Sequence, residues 1–197
     1  MNFLIGIHSL QQNGLKQLEY LNISHNKIRK IESNNFQSFD SLLELDLAAN
    51  EFSVLLTSTF SGLVRLKKLN LAEQRCLRRI QTGAFLDLTS LEVLNVSYSP
   101  TLEYIDENAF IVSTSLRIFD ANFCALKALP YRLFDWERVS QLNLYGNQFH
   151  CDRKLLTFLP TILHSKSIKR VVCASPRELV NRSISSLVRL STASVIK

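Results

Sequence analysis

Four cysteines, four histidines and three Asn-x-Ser tripeptides are the residues of this 197-residue chain whose types could do specific chemistry. Cys and His together read as metal ligands or as a nucleophile with its base, and Cys alone reads as a disulfide or a buried thiol. The spacing argues against the first two. Cys76, Cys124, Cys151 and Cys173 form no C-x-x-C, and the histidines (His8, His25, His150, His164) stand in no H-E-x-x-H. No serine sits in G-x-S-x-G, and the five glycines build no phosphate-cradling loop. His150 beside Cys151 is the one neighbouring pair that could suggest nucleophilic chemistry, and Cys151 has a better use below. The expectation is therefore no enzyme, no metal and no cofactor. The tripeptides at Asn22, Asn95 and Asn181 are acceptors for N-linked sugar.

What must position these residues is a repeat. The pattern L-x-x-L-x-L-x-x-N-x-L aligns Leu18, Leu21, Ile23, Asn26 and Ile28 with Leu42, Leu45, Leu47, Asn50 and Phe52. Further turns lead with Leu66, Leu91, Leu116 and Val139, so the steps are 24, 24, 25, 25 and 23 residues. A second column keeps the same beat: Phe36, Phe60, Phe85, Phe110 and Phe134. Around the middle Leu of each turn, apolar and polar residues alternate with period two, which predicts a short strand with one buried face. One strand per turn stacks into a parallel sheet, and each turn needs its neighbours to cover its Leu and Phe.

This pattern resembles the leucine-rich repeat family. The resemblance implies an α/β solenoid, a curved horseshoe with short parallel strands on the concave face and loops and short helical turns on the convex face. It also implies that each Asn closing a strand turns its amide inward to pair with backbone of neighbouring turns. Gln74, Ser99 and Cys124 replace that Asn in three turns, which should loosen the middle of the solenoid. We divide the chain into a partial N-terminal repeat at 1–17, about six repeats at 18–149, and a C-terminal cap and tail at 150–197.

The cap reading is itself a resemblance. Extracellular members carry C-x-C, a helix, then C-x-x-P-x-x-L and a fourth Cys, paired first to third and second to fourth. Here Cys151 matches the first and Cys173-Ala174-Ser175-Pro176 the third, while Arg153 holds the second position and no fourth Cys follows. Both partners of one bridge are missing and both of the other remain, so the resemblance implies a Cys151–Cys173 disulfide. Cys76 and Cys124 fall in the third and fifth turns, roughly 9 to 10 Å apart at two strand spacings. That exceeds disulfide reach, and both are expected to be buried free thiols.

A disulfide and three sequons place the chain in an oxidising compartment, extracellular or at the cell surface. No run of about 18 apolar residues could span a membrane. The start, Met1 to His8, reads poorly as a signal peptide, so either a signal lies upstream of this start or there is none, and any membrane anchor is expected outside this sequence. The whole looks most like ectodomain segments of Toll-like or neuronal adhesion receptors. That likeness implies a protein ligand or co-receptor held on the concave sheet. Candidate contacts are Tyr20, Glu44, Asp46, Lys68, Asn70, Ile118, Asp120, Asn143 and Tyr145, with Leu43, Val93 and Phe123 as further apolar anchors. Replacing Asp46 and Lys68 together is expected to weaken binding and leave the melting temperature alone. The alternatives are a matrix-organising protein or, with reduced cap cysteines, an intracellular adaptor. The chain has no Ser-Gly in an acidic setting to carry glycosaminoglycan, which tilts the choice toward recognition.

Charge is uneven. Residues 1–125 hold 11 Lys+Arg and 13 Asp+Glu (net −2), and residues 126–197 hold 12 and 4 (net +8), which together give the formal +6. The basic cap is a candidate surface for heparan sulfate, and no motif accompanies the charge that would point to nucleic acid. The first residues begin inside a turn, so the chain is expected either to be a fragment of a longer array or to use its open apolar N-terminal end as a dimer surface.

Overall fold

The computed structural model describes residues 15–33, 35–111, 114–162 and 171–187. Among the described residues, nine short strands run in chain order: β1 (Tyr20–Asn22), β2 (Glu44–Asp46), β3 (Val54–Leu55), β4 (Lys68–Asn70), β5 (Arg79–Ile80), β6 (Val93–Asn95), β7 (Tyr104–Ile105), β8 (Ile118–Asp120) and β9 (Gln141–Asn143). A helix, α1 (Arg153–Ile162), follows. The strands form two all-parallel sheets, ordered β1-β2-β4-β6-β8-β9 and β3-β5-β7. Each turn of chain therefore contributes one rung, as expected of a chain that repeats every 23 to 25 residues.

The register repeats the sequence alignment residue for residue. Leu21, Leu45, Leu69, Leu94, Phe119 and Leu142 lie in one row across the six-stranded sheet. From Leu45 onward that row is buried. Phe36, Phe60 and Phe85 stack with ring centroids 6.1 and 5.8 Å apart, and Phe85 stacks on Phe110 at 4.6 Å. Phe134 closes the column edge-on at 5.7 Å. These rings and the Leu rows make one continuous core, the only way a turn this small buries its apolar face.

The structure adds one feature to the expected solenoid and corrects one expectation. The addition is a second parallel sheet, β3-β5-β7; short helical turns, among them Leu15–Gln17, Trp136–Arg138 and Arg177–Leu179, lie near the two ends. Leu55, Ile80 and Ile105 bury one side of each of its two-residue strands, and the common period brings the strands into register. Pro130 explains why this sheet stops at β7. Gln81 N donates to Leu55 O at 3.0 Å and Asp106 N to Ile80 O at 2.9 Å. Pro130 occupies the same place in the next turn and has no N–H to give Ile105.

The correction concerns Cys76, which is exposed, while Cys124 is buried as expected. In the 24-residue turns the residue two after the ladder position is buried, as at Phe52. The 25-residue turns insert one residue there, so Leu77 takes the buried place and Cys76 is turned out. Burial pushes the Cys124 thiol up to about 12.

Asn50 shows what the ladder amide does. Its Oδ1 accepts from Ile28 N at 3.0 Å, and its Nδ2 donates to Ile23 O at 3.1 Å and Leu47 O at 2.9 Å. Asn147 repeats the arrangement with Leu126, Ala121 and Leu144. The substitutes keep part of it. Gln74 Nε2 still reaches Leu47 O at 2.8 Å and Cys124 Sγ reaches Val96 O at 3.3 Å. Ser99 Oγ accepts from Gln74 N of the neighbouring turn at 3.2 Å and donates to Ser97 O at 3.5 Å, while Gln74 Oε1 is left buried without a partner.

The C-terminal end is covered by α1 and the segment after it. Asp152 Oδ1 accepts from Leu155 N at 2.8 Å and so caps the helix. Leu155 is buried, and the Phe158 ring meets Trp136 edge-on at 5.5 Å. Cys151 and Cys173 are joined in a disulfide with Cα atoms 5.6 Å apart. Both are buried beside Phe149, Val171 and Ile184.

Candidate recognition face

The outer face of the six-stranded sheet carries two columns. One runs Tyr20, Glu44, Lys68, Val93, Ile118, Gln141, the other Asn22, Asp46, Asn70, Asn95, Asp120, Asn143. In the first, Glu44 and Lys68 are cross-strand partners, with Lys68 Nζ 2.7 Å from Glu44 Oε1. The hydrogen bond to that carboxylate, together with its charge, holds the Lys68 ammonium pKa above its usual value. Lys67 Nζ lies 4.0 Å from Glu92 Oε1. Glu44 and Glu92 thus neutralise Lys68 and Lys67 across β2, β4 and β6.

The second column has a structural task that the sequence reading did not assign. Asn22, Asp46, Asn70, Asn95 and Asp120 each accept, through Oδ1, the backbone N–H two residues on. Each closes the end of its own strand as an Asx turn. Asn70 Nδ2 also donates to Asp46 Oδ1 at 3.1 Å, and Asn143 Nδ2 to Asp120 Oδ2 at 2.8 Å. The expectation that Asp46 can be removed without lowering stability is therefore overturned. Asp46→Ala strips two half-buried donors of their acceptor, and a loss of about 1 to 2 kcal/mol is expected. Urea titration of Asp46→Ala beside Lys68→Ala checks this, since the exposed lysine should cost under about 1 kcal/mol.

The predicted contacts fall into separate places. Glu44, Asp46, Lys68 and Asn70 cluster on β2 and β4, while Ile118, Asp120, Asn143 and Tyr145 cluster on and after β8 and β9. Tyr20 is exposed at the far end on β1. Leu43, Val93 and Ile118 are half-buried.

Along the rim where the strands end, one repeat position is held in left-handed backbone throughout: His25 (φ 53°), Ala49 (52°), Glu73 (60°), Tyr98 (55°), Phe123 (52°) and Gly146 (75°). Only glycine adopts this region without steric penalty, and bulky side chains rarely do. Yet two of the six are aromatic and adjacent. Tyr98 stacks on Phe123 at 4.9 Å, and Phe123 meets Tyr145 edge-on at 5.1 Å. All three are substantially exposed, at 56%, 41% and 45%. Gly146 is needed beside them, because a Cβ there would sit 2.7 Å from Phe123 Cδ1. Tyr98 was missed in the sequence. Reading the column one place before the ladder residue puts it next to Phe123.

A family model described as leucine rich repeat matches residues 2–52, 16–75 and 64–126. The chain belongs to the leucine-rich repeat family. No curated protein matches the sequence. Leucine-rich repeat domains generally mediate protein–protein interaction, on a fold that is typically non-enzymatic. The family match ends before the last turn, Val139 to Phe149, which the structure stacks on the sheet as β9.

Among the described residues, no group of His, Cys, Asp and Glu could hold a metal ion, and no helix is long and apolar enough to cross a membrane. Asn22 and Asn181 are exposed and Asn95 is half-buried. At Asn22 and Asn95 the Oδ1 is held by the hydroxyl of the sequon serine at 2.7 Å. Of the cap cations, Arg153, Lys154, Arg177 and Arg182 are exposed, and Lys166, Lys169, Arg170 and Arg189 lie outside the described residues. The candidate N-terminal dimer surface within 1–14 also lies outside them.

Proposed function

We propose that this chain is a recognition segment of an extracellular or cell-surface protein, and that it holds a protein ligand or co-receptor on the six-stranded sheet. The observation that carries the proposal is the aromatic rim of Tyr98, Phe123 and Tyr145. Exposed apolar rings are a cost to a free solenoid, and left-handed backbone at two of them adds strain. The fold needs the left-handed turn but not an aromatic ring on it, because Glu73 and Gly146 occupy the same repeat position. Strain and exposure kept together mark sites of use. Tyrosines and other aromatics with rigid rings are also the side chains that anchor interfaces. The half-buried Val93 and Ile118 extend the apolar surface onto the sheet. A setting outside the cytosol is supported by the Cys151–Cys173 bond and by the exposed sequons at Asn22 and Asn181.

The test is a screen of the secreted chain against a panel of cell-surface ectodomains, followed by surface plasmon resonance with variants. Phe123→Ala and Tyr145→Ala are each expected to weaken a genuine partner by at least about tenfold, the scale of an interface anchor, with little change in melting temperature. Glu51→Ala, two turns away from Tyr98, should leave affinity alone. Partners that bind both aromatic variants with unchanged affinity would sink the proposal.

A further inference from the structure

We infer that a notch at the entry edge of β8 and β9 binds the sulfate or phosphate ester of a sugar. The notch is a cavity of about 380 Å³ lined by Ser115, Arg117, Arg138 and Ser140. No carboxylate is among those four side chains. Arg117 stands just before β8 and Ser140 just before β9, so the repeat places them on neighbouring turns, with Ser140 N donating to Arg117 O at 2.9 Å.

The two guanidiniums are not equally committed. Arg138 Nε is held 3.0 Å from Asp135 Oδ2, which orients the fork and leaves its terminal nitrogens for another acceptor. The carboxylate on the turn before Arg117 is Glu92, and it already faces Lys67 at 4.0 Å. Two arginines opening onto one cavity repel each other, and a tetrahedral oxyanion between them converts that repulsion into charge-assisted hydrogen bonds. Arginine's planar fork matches such an anion better than lysine's point charge.

The serines indicate what carries the anion. Ser140 Oγ donates its proton to Arg117 O at 3.1 Å, so toward the cavity it can only accept. An acceptor beside an anion site suits a hydroxyl of the ligand and offers nothing to a bare anion. The notch is open to solvent, so a sugar ring can extend outward from an anion seated between the arginines. This site stands apart from the aromatic rim and from the basic cap, and it does not depend on the function of either.

The experiment is an NMR titration of the isotopically labelled full chain, following the Nε–H signals of Arg117 and Arg138. The probes are N-acetylglucosamine 6-sulfate, N-acetylglucosamine 6-phosphate, N-acetylglucosamine and sodium sulfate. Both signals are expected to move with the two esters, at lower concentration than with inorganic sulfate, and to stay still with the uncharged sugar. The ester with the lower Kd distinguishes a sulfated from a phosphorylated source. Arg117→Gln and Arg138→Gln, both at exposed positions, should each raise that Kd about tenfold, the scale of one charged hydrogen bond. The pair Arg153→Gln and Lys154→Gln in the cap should leave it unchanged. Still signals, inorganic sulfate binding as tightly as the esters, or unchanged affinity in both notch variants would each overturn the inference.

Discussion

Phe85→Ala is expected to destabilise the solenoid by about 3 to 5 kcal/mol, the range for removing a fully buried ring. Phe85 is wholly buried and lies between Phe60 and Phe110, nearly parallel to the first at 6° and within 4.6 Å of the second. Deleting it opens a void in the middle of a column that has no alternative packing, because each ring is supplied by a different turn. A repeat array is held together by its unit stabilities and nearest-neighbour interfaces. Loss at a central turn should therefore weaken the coupling between the two halves as well as the total. Urea unfolding followed by circular dichroism should show a lower midpoint and a broader transition. Phe85→Leu, which keeps most of the volume, should cost clearly less. A loss below about 1 kcal/mol for the alanine variant would mean that the Phe column does not bear on stability.

Removing the cap disulfide with Cys151→Ser and Cys173→Ser is expected to cost about 3 kcal/mol. The bond spans 22 residues of sequence, and the chain-entropy model gives that order for a loop of this length. The effect should be local at first. Phe149, Leu155, Val171 and Ile184 are buried around the bridge, and they cover the end of the core beyond β9. Limited proteolysis of the variant should cut in the cap before the repeats, whereas the parent chain should resist at both. The same preparation tests the state of the other cysteines. Alkylation of the native chain, secreted from a eukaryotic cell, should mark Cys76 alone of the four. Cys124 should stay unmodified, since burial raises its thiol pKa to about 12 and withholds the reactive thiolate. Peptide mapping would also score sugar at Asn22, Asn95 and Asn181. Free thiols at Cys151 and Cys173 in the secreted chain would undo the extracellular reading.

The repeat length and the identity of the buried columns were legible without coordinates. A turn of 23 to 25 residues cannot bury Leu and Phe alone, so periodicity of those residues forces stacking, and stacking forces a parallel sheet with a common register. The rows through Leu45 and Phe85, the inward amides of Asn50 and Asn147, and the pairing of Cys151 with Cys173 all follow that logic or the family resemblance. They depend on position within a turn, which is a property of sequence spacing.

What depended on neighbouring turns was decided only by the fold. Cys76 is exposed because the extra residue of a 25-residue turn is absorbed between Gln74 and Leu77, and spacing alone does not say where an insertion is taken up. Pro130 ends the second sheet because the missing N–H falls opposite Ile105, which shows only when adjacent turns are in register. Asp46 looked like a free surface carboxylate and proved to be an acceptor that closes β2 and receives Asn70. The aromatic rim is the largest such case. Tyr98, Phe123 and Tyr145 are 25 and 22 residues apart in sequence, and one shared left-handed turn position brings the first two rings together, with Tyr145 turned against the second. Sequence sets which residues each turn must bury, and the contact between one turn and the next sets what the remaining residues can do.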